Sequence, residues 1–246
     1  MRDWNKVIDD LASQLKNFLG DRKAVVGISG GIDSSVIAYL CERVVGIKNV
    51  IGVMIPYGDQ STVDAELIVE DLHIPRQLVN IKPIVDAFPN VDFMSKLAKG
   101  NIMARIRMTV LYNQANSNNG MVIGTTNKTE AAIGYYTKWG DGAVDVEPIA
   151  DLYKTEVWEI AKVLGVPQKI IDKTPSAELW DGQSDEDELG ITYKELDEIL
   201  KMMSELDVGL AKAHHVCGTE KFDKVVALID NSEHKRHMPP AFRAYQ

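Results

Sequence analysis

The sequence predicts a doubly wound α/β domain, a parallel sheet with helices on both faces. Three observations carry this expectation. Short β-branched runs alternate with longer stretches of helical periodicity. A glycine-rich turn sits where the first strand passes into a helix. The chain of 246 residues has 45% hydrophobic and 26% charged residues, with no composition shift or low-complexity linker dividing it. Residues 1–246 are therefore read as a single domain whose core needs no disulfide or metal staple.

The elements follow in order. Trp4, Val7, Ile8, Leu11, Leu15 and Phe18 recur every three or four residues and mark an amphipathic helix ended by Gly20 and Asp21. KAVVGI is a buried strand, SGGIDSS a turn, and SVIAYLCERVV a helix. NVIGVMIPY is a second strand and STVDAELIVEDL a second helix, with Ser61 or Thr62 as N-cap. RQLVNI is a third strand. A long helix spans Asn101 to Asn116, Asn118-Asn119-Gly120 breaks it, and MVIGT is the fourth strand. Parallel strands are thus expected near 24–28, 50–55, 76–80 and 121–124, with a short fifth near 143–146. Gly134 to Ile149 reads as ordered loop, and LYKTEVWEIAKVLG as a helix stopped by Gly165 and Pro167. The acidic DGQSDEDELG reads as a mobile surface loop. Two or three helices lead to the polar end EHKRHMPPAFRAYQ.

Charge and cysteine usage narrow the function. The formal net charge is -9, which argues against a phosphate-tracking nucleic-acid surface but leaves room for a local basic pocket. Cys41 and Cys217 form no CxxC pair, so neither a disulfide framework nor a cysteine zinc site is expected. No stretch approaches roughly 18 apolar residues, and the first twenty mix charges with apolar residues. A cytoplasmic enzyme or binding protein with no membrane partner is expected.

Chemistry concentrates in Gly27-Ile28-Ser29-Gly30-Gly31-Ile32-Asp33-Ser34-Ser35. Adjacent glycines permit a tight turn and close approach of backbone to a ligand. Backbone N–H groups and a helix N-terminus favour an anion, and the serines add hydroxyl donors. The segment is a phosphate cradle, unless Asp33 and Ser34 are helix caps alone. It lacks the lysine of GxxxxGK[ST] and the spacing of GxGxxG.

This loop resembles the SGGxDS pyrophosphate loop of the ATP pyrophosphatases, which cleave ATP between the α and β phosphates. GTTNKTEAAIGYYTKWGDGAVDVEPIADLYKTEV, PSAELWDGQSDEDELG and EHKRHMPP extend the likeness to the ammonia-dependent NAD synthetase family, from about Val25 to the tail. The resemblance implies the adenine nucleotide alpha-hydrolase-like form of the α/β fold. It also implies a reaction. ATP adenylates the nicotinate carboxylate of deamido-NAD, and ammonia displaces AMP to leave NAD, AMP and pyrophosphate. Adenylation is needed because a carboxylate by itself offers only oxide as leaving group.

The resemblance assigns Gly27, Ile28, Ser29, Gly30, Gly31, Ile32, Asp33, Ser34, Thr125, Lys154 and Ser176 to ATP. Asp33 and Glu130 become ligands of Mg2+, which prefers oxygen and keeps waters. Asp33 and Lys154 become the catalytic pair. Arg105, Lys138, Asp145, His234 and Lys235 are assigned to deamido-NAD. Plainer readings stand beside these. Glu130 would complement a helix dipole, and Lys154 would be a solvated lysine at a helix start. Ser176 would be a turn residue. Arg105 would pair with an acid, Lys138 and Asp145 would be loop charges, and Arg236 and His237 would belong to a solvated face. Asp141, in WGDGA, is either a turn residue or a group that handles ammonium.

Two rival functions are weighed. A tRNA thiolase of the same family would bring catalytic cysteines and a basic RNA surface, and neither is visible. A non-catalytic nucleotide-binding protein would not need both Asp33 and Glu130. No spare segment of glutaminase size is visible, so ammonia is the expected nitrogen donor. The helix at 101–116 carries more apolar residues than one stripe requires, including Ile106, and a subunit interface would cover the excess. The resemblance likewise implies a homodimer with deamido-NAD near the interface.

Overall fold

A computed structural model describes residues 2–180, 182–205 and 219–242. Its centre is a four-stranded sheet built from β1 (Lys23–Gly27), β2 (Val50–Met54), β3 (Arg76–Leu78) and β4 (Gly120–Ile123). The order is β3-β2-β1-β4, with every pairing parallel. All five residues of β2 are buried, as expected for a strand covered on both faces. The strands match the expected positions.

The expected fifth strand shrinks to one parallel bridge between Val146 and Ile123. Asp145 N donates to Val122 O at 3.0 Å and Gly124 N to Val146 O at 2.8 Å. Pairing stops there because Pro148 has no N–H to offer.

Helices cover both faces. On one lie α1 (Trp4–Leu19), α2 (Ile32–Val45) and α7 (Lys154–Leu164), which share a core with α3 (Val63–Asp71) and the sheet. Asp3 caps α1 by accepting from the Asn5 and Lys6 amides at 3.1 and 3.3 Å. On the other face lies α5 (Lys96–Ser117), which Ser95 caps through Ala98 N at 3.2 Å. The start of α5 precedes the expected one by several residues. Between the expected caps of α3, Thr62 takes the N-cap position, but it is Ser61 Oγ that accepts, at 3.4 Å, from Val63 N.

The apolar excess of α5 is consumed within the chain. Met103 and Ile106 pack with Ile81, Val85 and Val91 beneath α4 (Lys82–Asp86). Val110, Leu111 and Tyr112 pack with Val25 and Val122 of the sheet. From Asn101 onward the helix exposes only Arg105, Thr109, Asn113, Asn116 and Ser117. These apolar residues therefore need no subunit interface to cover them, contrary to expectation, because a helix between sheet and α4 needs two apolar faces.

A smaller helical layer is built from α6 (Lys128–Ile133), α9 (Asp185–Leu189), α10 (Tyr193–Glu205) and α11 (Thr219–Ser232), whereas α8 (Gln168–Ile171) buries Ile170 and Ile171 in the main core. α9 corrects the reading of DGQSDEDELG as mobile surface loop. Ser184 begins the helix, and Asp185 is buried beneath it at 4% exposure. Acidic residues at a helix N-terminus are favoured by the dipole, so charge density alone did not mean disorder. Among the described residues no helix is long and apolar enough to cross a membrane.

Candidate active site

The cradle forms at the carboxyl end of β1, where open α/β sheets place their ligands. Ile28 N donates to Val53 O at 2.9 Å, extending the sheet one step past β1. Ile28 and Ile32 bury their side chains in the core and so present only backbone. Gly30 has φ of +80°, and Gly31 is the N-cap of α2. Ser34 Oγ donates to Gly31 O at 3.0 Å, and Ser29 and Ser34 hydroxyls lie 3.1 Å apart. Gly31 N donates to Ser29 Oγ at 3.1 Å. The turn is thus fixed by its own serines, with Asp33 free to point away from it.

Asp33 points to Lys154. Lys154 Nζ lies 2.5 Å from Asp33 Oδ2 and 3.0 Å from Glu130 Oε1. Asn127 Nδ2 donates to Asp33 Oδ1 at 2.9 Å. Asn127 and Glu130 form the capping box of α6, in which Asn127 Oδ1 accepts from Glu130 N at 3.0 Å. Lys154 is only 2% exposed, which removes the solvated-lysine reading. Burial works against its charge, but Asp33 and Glu130 outweigh this and hold the ammonium on. Burial pushes the Glu130 carboxyl up to about 7, against the pull of Lys154.

A second ring of contacts fixes the first. Tyr193 stacks its ring on the Lys154 ammonium, with 4.8 Å from Nζ to the centroid. Its hydroxyl donates to Asp185 Oδ2 at 3.0 Å. Asp185 Oδ1 accepts from Tyr135 Oη and from Ala177 N, each at 3.1 Å. Asp197 on α10 accepts from Thr129 Oγ1 at 2.5 Å and from Thr155 N at 2.8 Å, which fastens α6 to α7. Thr129 Oγ1 in turn accepts from Lys154 N at 2.9 Å.

Two adjoining cavities open here. The smaller, about 150 Å³, is lined by Asp33, Glu130, Lys154, Lys173 and Asp185 with the cradle. The larger, about 520 Å³, runs from the cradle past Gln60 and Arg107 to Tyr136 and Lys235. Ser29, Gly31, Ser34, Thr125 and Ser176 line both, so these five ATP-assigned residues lie at their junction. Gly30 faces neither and packs against α3. Asp141 also lines both cavities, open to solvent there yet enclosed by protein, and burial raises its carboxyl above the usual range.

The residues assigned to deamido-NAD divide. Lys235 Nζ donates to Gly134 O and Tyr136 O, both at 2.7 Å, on the wall of the larger cavity. Lys138 Nζ donates to His234 O, and Arg105 Nη2 to Lys138 O at 3.2 Å. These four gather at one edge. Asp145 stands apart: its carboxylate accepts from Val122 N at 2.7 Å and from Tyr112 Oη at 3.3 Å, bracing β4. Arg236 departs from the solvated reading, since it donates to Ala132 O at 2.8 Å and Ile229 O at 2.5 Å and staples the tail to α6.

Comparison with known proteins agrees with this geometry. A family model described as NAD synthase matches residues 3–239. The chain belongs to the NAD synthase family. It is 49% identical over 245 residues to the NH(3)-dependent NAD(+) synthetase of Thermococcus kodakarensis, covering 96% of each chain. Among solved structures, the NMN synthetase from Francisella tularensis superposes with a TM-score of 0.87 at 33% identity, covering 99% of this chain and all of the other. The NH3-dependent NAD synthetase from Campylobacter jejuni, solved with a nitrate ion, gives 0.83 at 28% identity, covering 98% of this chain and 100% of that one.

Within this NAD synthase fold, sequence reasoning missed Asn127, Asp185, Tyr193 and Asp197. Only Asn127 left a signal, as the first residue of the N-x-x-E capping box before α6. The others act across sequence separations that no local pattern reveals. The metal assignment rests on two carboxylates. Among the described residues no group of three or more His, Cys, Asp or Glu side chains is placed to hold a metal ion. Two carboxylates beside a phosphate cradle suit magnesium, which completes its shell with water and substrate oxygens.

Proposed function

We propose that this chain is an ammonia-dependent NAD synthase, a carbon–nitrogen ligase that joins ammonia to deamido-NAD at the expense of ATP. The nicotinate carboxylate attacks the α-phosphorus, pyrophosphate leaves, and ammonia displaces AMP from the acyl-adenylate. The observation that carries the reading is Lys154, buried and shared by Asp33 and Glu130 beside the cradle. A cation and two carboxylates next to N–H groups and hydroxyls are what phosphoryl chemistry at a triphosphate requires.

The roles follow from position. Gly27 to Ser34, Thr125 and Ser176 hold the triphosphate, the serines turning their hydroxyls from one another to phosphate oxygens. Lys154 meets the charge that develops at the α-phosphate of the transferred adenylyl group. Asp33 and Glu130 hold magnesium, which supplies charge neutralisation for the leaving pyrophosphate. Arg105, Lys138, His234 and Lys235 grip deamido-NAD at the far edge of the larger cavity, and Asp145 braces β4. Arg105 lies exposed on α5, so a homodimer that seats a second copy near it would complete that edge; light scattering at micromolar concentration tests the pair.

The deciding assay incubates the chain with ATP, magnesium, ammonium and deamido-NAD. NAD, AMP and pyrophosphate are expected in equal amounts. Because the Francisella neighbour is called an NMN synthetase, deamidated mononucleotide is run in parallel. Loss of ATP without matching AMP and amide product would refute the reading.

A further inference from the structure

Two lysines line the smaller cavity, and the function above uses one. The other is Lys173, on the segment between α8 and Ser176. Its Nζ lies 2.6 Å from Glu178 Oε1 and 2.9 Å from Asp64 Oδ2. Lys154 carries one positive charge, which by itself cannot balance a polyphosphate. We infer that Lys173 is a second pyrophosphate-binding cation, which leaves Glu178 and Asp64 for the β and γ phosphates of ATP and then for the departing pyrophosphate. The inference rests on the reading of this site as one that cleaves ATP.

Three features support the exchange. First, Asp64 is a neighbour of the cradle itself: its Cβ lies against Gly30, which places the Lys173 anchor beside the phosphate loop. Second, the resting ion pairs are easy to give up. The Lys173 and Glu178 side chains are 26% and 42% exposed, and partly exposed pairs are worth little, while Asp64, at 23%, keeps Lys169 as a second partner at 2.7 Å. A phosphate that carries several charges is the stronger partner. Third, burial works against the charge of Lys173, but Glu178 and Asp64 outweigh it, so the lysine waits in its charged form.

The competing view is that Lys173 only ties the 173–178 segment to α3. Inorganic pyrophosphate, titrated into the full chain with magnesium and followed by calorimetry, separates the two. Lys173→Met keeps the aliphatic stem and removes the charge. It should weaken pyrophosphate roughly 10-fold or more, as for loss of one charge-assisted hydrogen bond, while AMP binding stays within about two-fold. Lys173→Arg should stay within about three-fold of wild type. Glu178→Gln carries the opposite sign: it frees Lys173, so pyrophosphate should bind equally or more tightly. A structural tie predicts weakening in both Lys173→Met and Glu178→Gln. Unchanged pyrophosphate binding in Lys173→Met, or weakening by Glu178→Gln, overturns the proposal. If Lys173→Met fails to fold, the Glu178→Gln titration decides alone. Wild-type chain that binds pyrophosphate yet yields no AMP with deamido-NAD would defeat the reaction and leave the Lys173 assignment standing.

Discussion

Gly30 and Asp64 are in contact: a Cβ on Gly30 would stand 2.6 Å from the Asp64 Cβ and 2.7 Å from the Ala65 amide nitrogen. With φ at +80° as well, no larger residue fits without moving the loop or α3. Gly30→Ala should cost roughly 2–4 kcal/mol of stability and weaken ATP binding together. Urea denaturation and ATP titration check the two effects. A variant that keeps wild-type stability would show that the loop is looser than its geometry.

Asp33→Asn retains an acceptor for Asn127 and leaves the Lys154–Glu130 pair in place. The fold should therefore survive. Turnover should fall by roughly 10²-fold or more, because the charge that pairs with Lys154, and that we propose as a magnesium ligand, is gone. Turnover within a few-fold of wild type at saturating magnesium would reduce Asp33 to a helix cap.

Glu147 gives a pH signature. Its carboxylate lies over Gly124 and accepts from Thr126 N at 3.0 Å, and burial pushes its carboxyl from 4.5 up to about 8. An acid raised in the folded state binds its proton more tightly there than when unfolded. Its stabilising share is complete below the unfolded value and is lost as pH climbs toward the folded one. Between pH 5 and pH 8, as bracketed by those values, the wild type should lose stability relative to Glu147→Gln. Parallel urea curves for the two proteins at each pH measure the difference, and curves that track each other would count against it.

Nitrogen source is the fourth expectation. Cys41 is fully buried, and burial holds its thiol protonated, so it cannot attack glutamine. Cys217 lies outside the described residues. The chain should make NAD with ammonium and almost none with glutamine alone, and the rate should rise toward mildly alkaline pH as free ammonia increases. Efficient glutamine use in ammonia-free buffer would contradict this.

Ile106→Glu bears on folding and no longer on assembly. Ile106 is 8% exposed and packs against Ile81, Val85 and Val91. A carboxylate there has no partner, so roughly 3 kcal/mol or more of stability should be lost. Thermal melting checks it. A variant that melts like wild type but elutes as a smaller species would restore the interface reading.

Local patterns foretold the sheet and the cradle well. β-branched runs locate β1, β2 and β4 because buried parallel strands need such runs, and SGGIDSS marks the turn because few other residues fit it. Longer-range effects stayed hidden. The two-sided burial of α5 depends on α4, whose five residues carry little periodicity. The burial of Asp185 depends on Tyr135 and Tyr193, which meet it from different segments. Lys154 is legible as an ATP-site lysine only through the family resemblance, because its partners Asp33 and Glu130 lie 121 and 24 residues away.

Asp197 ties the chain's order of synthesis to the readiness of its site. The sheet is complete once Ile123 has left the ribosome, and Lys154 follows soon after. The helices that carry Glu130 and Lys154 already meet through Thr129 Oγ1 and the Lys154 amide, but the carboxylate that clamps them from outside, Asp197, lies on α10. A nascent chain ending before that residue would hold the nucleotide cradle with Lys154 tied to Asp33 and Glu130 but without the outer clamp that Asp197 places on both helices. Nucleotide affinity should therefore emerge earlier during translation than the capacity to turn over, with Asp197 as the point at which the second joins the first.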